Sequence, residues 1–173
     1  MTTALSLKAY AALNFVLSQA VNPGFTTAPA VAQYNPRLAA TEFTNGTGDF
    51  QCTDVYSATI TLAGGAHQNF DLAGSLTDAL NNVASFATIK GLLVVADPGN
   101  NAANVVVGGA AANAWFGCFN DATDKAVVQP GGTFFWLAPK GGGVVTPGTG
   151  DILLVTNSSG GTTATFTIFI FGN

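Results

Sequence analysis

The chain reads as all-β, a sandwich or barrel of short strands, and three observations carry that reading. After Gln51 apolar and polar residues alternate with a period of two. Gly, Pro and Asn clusters recur between the apolar runs. The longest run, 84–96 (ASFATIKGLLVVA), is apolar on both alternating faces with Lys90 as its one charge, the pattern of a strand covered on both sides. About eight such strands with turns between them fit a sandwich or a barrel.

Taken in order, residues 1–22 hold the one clear helix candidate. Leu5, Ala9, Ala12, Leu13, Val16 and Ala20 fall on one stripe of a 3.6-residue period, and Asn22-Pro23-Gly24 stops it. A signal peptide competes, because Lys8 precedes an apolar stretch ending in Ser18-Gln19-Ala20. The start at Met1 favours an amphipathic helix, or an arm packed on a neighbour. Residues 23–50, with Pro23, Pro29 and Pro36, read as an extended connector ordered by what it lies against. It ends in the turn cluster 44–49 (TNGTGD). The expected division is a helical and Pro-rich arm over 1–45 and a β domain over 46–173.

Beyond Gln51, Tyr56, Ala58, Ile60 and Leu62 share one face, and Val55, Ser57, Thr59 and Thr61 the other. Gly64-Gly65 breaks the run, and Phe70 and Leu72 resume it. Residues 75–83 (SLTDALNNV) read as one helical turn with Ser75 as its N-cap. The run 84–96 follows as a central strand, stopped by Asp97-Pro98-Gly99-Asn100-Asn101. Further strands are expected at 105–107, 126–129, 133–138, 152–156 and 163–171, with 108–114 a small-residue run leading to Trp115 and Phe116. In the last strand Ala164, Phe166, Ile168 and Ile170 face one way. The opposite face changes from Thr163, Thr165 and Thr167 to Phe169 and Phe171. Burying a Phe is worth roughly 1.5–3 kcal/mol, so the pair is expected under another subunit or under the arm, the alternative being a loop of the same chain.

Composition narrows the function more than any motif does. Charged residues make up 8 % of the chain, against about 25 % in an ordinary soluble domain. Ala, Gly, Thr, Asn and Ser must therefore cover the surface, which suits burial against copies of the chain or other partners. Lys8, Arg37, Lys90, Lys125 and Lys140 are scattered, so no basic cluster exists to neutralise phosphates and nucleic acid is excluded as a partner. No segment approaches the roughly 20 apolar residues that cross a bilayer, and no membrane partner is expected.

Little in the sequence is chemically equipped. His67 is the only histidine and has no GxSxG nucleophile motif beside it, and Glu42 is the only glutamate. Asp49 with Asp54, and Asp121 with Asp124, fit turn roles better than the six to eight oxygens calcium wants. No phosphate-cradling glycine motif is present. No catalytic residue, cofactor or metal ligand is expected. Cys52 and Cys118 read as buried small hydrophobes rather than a disulfide. Asn45-Gly46-Thr47 and Asn157-Ser158-Ser159 match a glycosylation acceptor but read as plain turns. Trp115, Phe116 and Phe119, or Trp136, could stack a sugar; alternating aromatics in a β protein are more often core.

From Val55 onward the order of elements resembles small virion structural proteins of tailed bacteriophages. The resemblance lies in DLAGSLTDAL, IKGLLVV, VVVGG, VVQPGGTFFWLAP, VTPGTGDILLVTNSSG and a last strand ending in Phe-Gly, over about two-thirds of the chain. It implies a jelly-roll-like sandwich and a capsid decoration (cement) protein, or a tail or fibre component binding a host glycan or receptor. It implies a location in the virion, a symmetric and usually trimeric assembly, the major capsid protein or other virion proteins as partners, and no active site. The segment 1–45 would then be the docking arm. Leu5, Leu13, Val16, Phe169 and Phe171 are the expected interface residues.

Overall fold

The computed structural model describes residues 7–9, 15–18, 31–34, 41–74, 76–77 and 81–173. Among the described residues the chain is all-β, with several sheets and no helix. Eight strands build the two larger sheets: β1 (Asp54–Leu62), β2 (His67–Asp71), β3 (Thr88–Ala96), β4 (Val105–Gly108), β5 (Lys125–Val128), β6 (Thr133–Leu137), β7 (Ile152–Asn157) and β8 (Ala164–Gly172). One sheet has the order β6-β3-β8-β1, and the short Gly143–Val144 segment also pairs with β3. The other has the order β5-β4-β7-β2. Every pairing within these two sheets is antiparallel.

Period-two alternation explains the packing. In β8, Ala164, Phe166, Ile168 and Ile170 are buried, while Thr165 and Thr167 between them are only half-buried. Beside them β3 buries Leu92, Val94 and Ala96. Phe70, Val105, Val107, Leu153 and Val155 of the second sheet join these residues in one buried cluster. Each fully buried large side chain contributes about 1.5–3 kcal/mol. The central position expected for 84–96 holds for 88–96, which has a neighbour along each side.

Two sets of loops join the strands. The loops after β1, β3, β5 and β7 are short and bonded to one another or to neighbouring strands. Asn157, 2 % exposed, donates from Nδ2 to the carbonyls of Leu62, Ala63 and Thr162 and accepts from Ser159 N–H. That amide is committed inside the fold, so the Asn157 triplet is a structural turn. Asn100 grips β8 in the same manner, donating to Thr165 C=O and accepting from Thr165 N–H. The loops after β2, β4 and β6 are long and meet through Leu72 N–H to Asp151 C=O, Val145 N–H to Ala87 C=O and Trp115 N–H to Ile152 C=O.

Two helical expectations are corrected. Within 1–22 the described pieces are strands: Leu7–Ala9 pairs with Thr41–Asn45, and Phe15–Ser18 pairs with Val31–Tyr34. The helical stripe rested largely on alanines, whereas Phe15 and Val16 are strand formers. Within 75–83, Leu76–Thr77 pairs with Val83–Ala84, and Asn81 takes the left-handed conformation (φ 65°) that asparagine tolerates and a right-handed helix does not. Ser75, the expected cap, lies outside the described residues.

Candidate assembly surface

The face of β6-β3-β8-β1 opposite the core is arranged in cross-strand rows. Phe135, Leu93 and Phe169 stand side by side, with Ser57 closing the row. Phe169 is 38 % exposed, and Phe135 and Leu93 are half-buried. The adjoining row is Thr133, Val95, Thr167 and Thr59. Here Thr59 and Thr167 share a hydroxyl hydrogen bond of 2.8 Å, and Thr61 and Thr165 repeat it at 2.8 Å. Such opposed pairs contribute roughly 0.2–1 kcal/mol each. This face therefore carries an apolar row beside a hydroxyl ladder, with no charged side chain in either row.

On the other side of the apolar row the surface is covered by the chain itself. Phe171 lies across Gly91, so closely that a Cβ at position 91 would overlap its ring. Phe43, from Thr41–Asn45, closes over Phe171 edge-on at 5.2 Å between centroids. With Cys52 they form a second buried cluster, flanked by Val55 and Leu137. Of the expected interface residues, Phe169 is thus exposed and Phe171 is buried by a residue of the 1–45 segment. Val16 lies in the Phe15–Ser18 strand, and Leu5 and Leu13 lie outside the described residues. The composition gave no sign that Phe43 would meet Phe171, 128 positions later in the chain. Nor did it show that Leu93 and Phe135 would extend the Phe169 row, since that requires knowing which strands pair.

The other chemically suggestive residues have local explanations. His67 is exposed at the start of β2, opposite Thr156, and borders an open groove of about 420 Å³ with Asn69 and Leu154. Asp121 accepts from the backbone N–H and the hydroxyl of Thr123, and those bonds lower its pKa. Asp124 accepts from the N–H groups of Asn120 and Asp121. Asp49 accepts from Gly141 N–H, and Asp54 from the Thr53 hydroxyl. Among the described residues no three His, Cys, Asp or Glu side chains gather as a metal site. Cys52 and Cys118 are free; burial raises the pKa of both, that of Cys118 to about 12, with the Asp54 charge adding to the effect at Cys52.

The aromatic residues divide sharply. Trp115 is buried and meets Trp136 edge-on at 5.9 Å, and Phe119 stacks on Phe134 at 5.9 Å. Phe116 alone of the four candidates for sugar stacking is exposed, at 44 %. Comparison with family models, with curated proteins and with solved structures gave no match.

Proposed function

We propose that this chain is a virion structural protein built on a jelly-roll sandwich, a capsid decoration or cement protein that stabilises its particle through subunit contacts. The observation that carries the reading is the nesting of the strand pairs. A jelly roll is a long antiparallel ribbon wound into two sheets, and it recurs in viral capsid domains. Such a ribbon pairs first strand with last and so on inward. Here β1 pairs with β8, β2 with β7, β3 with β6 and β4 with β5. The contacts β3–β8 and β4–β7 are then the seams made by winding. Fold alone does not fix function, and viral capsids are one of several settings for this one. The surface supports that setting: a chain with 8 % charged residues presents the Phe135–Leu93–Phe169 row.

In this reading copies of the chain meet through that surface, as a trimer, and the 1–45 segment contacts the major capsid protein or another virion protein. Light scattering on the isolated protein, together with mass spectrometry and cryo-microscopy of purified particles, tests it. The expected result is an oligomer located on the particle surface. A 17.5 kDa monomer at high concentration that is absent from particles overturns it.

A further inference from the structure

β1 is the outer strand of its sheet: among the described residues β8 lies along one side of it and no strand along the other. The N–H and C=O groups that point away from β8 therefore have no ladder partner, the condition under which a further strand adds. Natural edges are usually blunted by Pro, Lys or a bulge. β1 has no Pro and no Lys, runs in unbroken register with β8, and carries its one charge, Asp54, at its start.

The core is also unfinished at this edge. Tyr56, Ala58 and Ile60 point inward and pack on the buried cluster, yet all three are only half-buried. The residues opposite them on β8, Ile170, Ile168 and Phe166, are at most 1 % exposed. The outward row of β1 is Ser57, Thr59 and Thr61, all exposed, and its threonines already pair with hydroxyls of β8. A strand laid beside β1 would bond the free edge and cover the inward row together.

We infer that β1 of one copy adds antiparallel to β1 of a second copy, about a twofold axis at Thr59. In that register the strand is its own complement. Tyr56 opposes Leu62, Ser57 opposes Thr61, Ala58 opposes Ile60, and Thr59 meets Thr59 of the second copy. Every inward pair is then apolar, and every outward pair sets hydroxyl against hydroxyl, as Thr59 and Thr167 do within one chain. Asp54 falls outside the paired span, so no charge enters the contact. A slip of one residue would set hydroxyls against apolar side chains. Centring on Ala58 instead would oppose Asp54 to Leu62 and Val55 to Thr61. The result is an isologous contact with one sheet running through two copies. It leaves the Phe135–Leu93–Phe169 row uncovered, so it neither needs nor blocks the face contact proposed above. A single strand pair is a small interface, and it forms at high protein concentration.

Thr59 supplies the test, because the axis sets it against itself. On the full chain, Thr59→Glu alone and Thr59→Lys alone place like charges in direct opposition and should each weaken concentration-dependent association by about fivefold or more. An equimolar mixture of the two should restore it, since Glu then meets Lys. Light scattering over a range of concentrations reads the association, and melting temperatures near that of the unaltered chain are expected at this exposed position. Thr59→Cys should give a disulfide-linked pair on mild oxidation, and it serves alone if the charged variants misfold. Phe169→Thr added to Thr59→Cys should leave that link intact, which separates the edge from the face. Charged variants that associate like the unaltered chain, a mixture that restores nothing, or a Thr59→Cys chain that does not link overturns the inference.

Discussion

Phe169 and Phe171 occupy the same face of β8 two residues apart, yet their energetic roles differ. Phe171 is 6 % exposed beneath Phe43, whereas Phe169 is 38 % exposed in an open row. Phe171→Ala should therefore destabilise the domain by about 3–5 kcal/mol, the usual range for a buried Phe in a large-to-small change. Phe169→Thr, extending the threonine series of that face, should change stability by less than about 1 kcal/mol and weaken self-association. Thermal unfolding followed by light scattering separates the two effects, and equal losses of stability in both variants would remove the distinction. The cysteines behave as hydrophobes for a related reason. Burial favours the neutral thiol, so the stability linked to Cys118 is complete below its ordinary value of 9.0 and is lost as pH rises from there through about 12. Native protein at pH 8 should accordingly react with iodoacetamide far more slowly than unfolded protein. Equal rates would show that the thiols are accessible.

At the scale of elements, the segment expected to be a detachable arm contributes to a buried cluster. Thr41–Asn45 supplies Phe43, and Gln51–Cys52 beside it supplies Cys52. A chain shortened to begin at Thr41 keeps Phe43, although it loses the Leu7–Ala9 strand that pairs with Thr41–Asn45. One beginning at Gly46 loses the cover over Phe171 and should be less stable by roughly 1.5–3 kcal/mol, the worth of burying one Phe. If both shortened chains melt alike, Phe43 contributes nothing net. This also marks what the sequence could disclose. The strands from 54 onward were legible because period-two alternation and Gly/Pro turns are local signals, and β8 follows its alternating pattern from Ala164 to Ile170, where the cover from Phe43 ends it. The helical readings at 1–22 and 75–83 failed because alanine-rich or short stretches satisfy both periods, and only a pairing partner decides between them. Phe43 was illegible since its role depends on a contact formed across the whole domain. The Trp115-Phe116 stretch was half legible: the aromatic pair was visible, but not that one ring is buried and the other exposed.

For the whole molecule, the proposed assembly turns on how copies would meet, because the symmetry dictates which surfaces touch. A twofold dimer brings a patch against itself, while a closed trimer brings it against a different patch. The apolar row ending at Phe169 is one patch. A second is Val127, 59 % exposed on β5, which faces away from the core beside Val106 and Thr156. The two patches belong to different sheets, so a heterologous contact can join row to row around a ring. There is also the edge contact inferred above. β1 is a nine-residue edge strand whose one charge is Asp54, without Pro, Gly or Lys, and edges of that kind invite strand addition. Oxidative cross-linking of single-cysteine additions distinguishes these modes. Phe169→Cys mixed with Val127→Cys should cross-link, and Phe169→Cys alone should not, while light scattering gives three times 17.5 kDa. Of the resident thiols Cys52 is buried and Cys118 half-buried, so both are less accessible than the added ones. Cross-linking by Phe169→Cys alone would establish a twofold contact and overturn the trimer. If neither arrangement cross-links, and the amide hydrogens of β1 exchange more slowly in the oligomer than in the monomer, the copies are joined through the sheet edge instead.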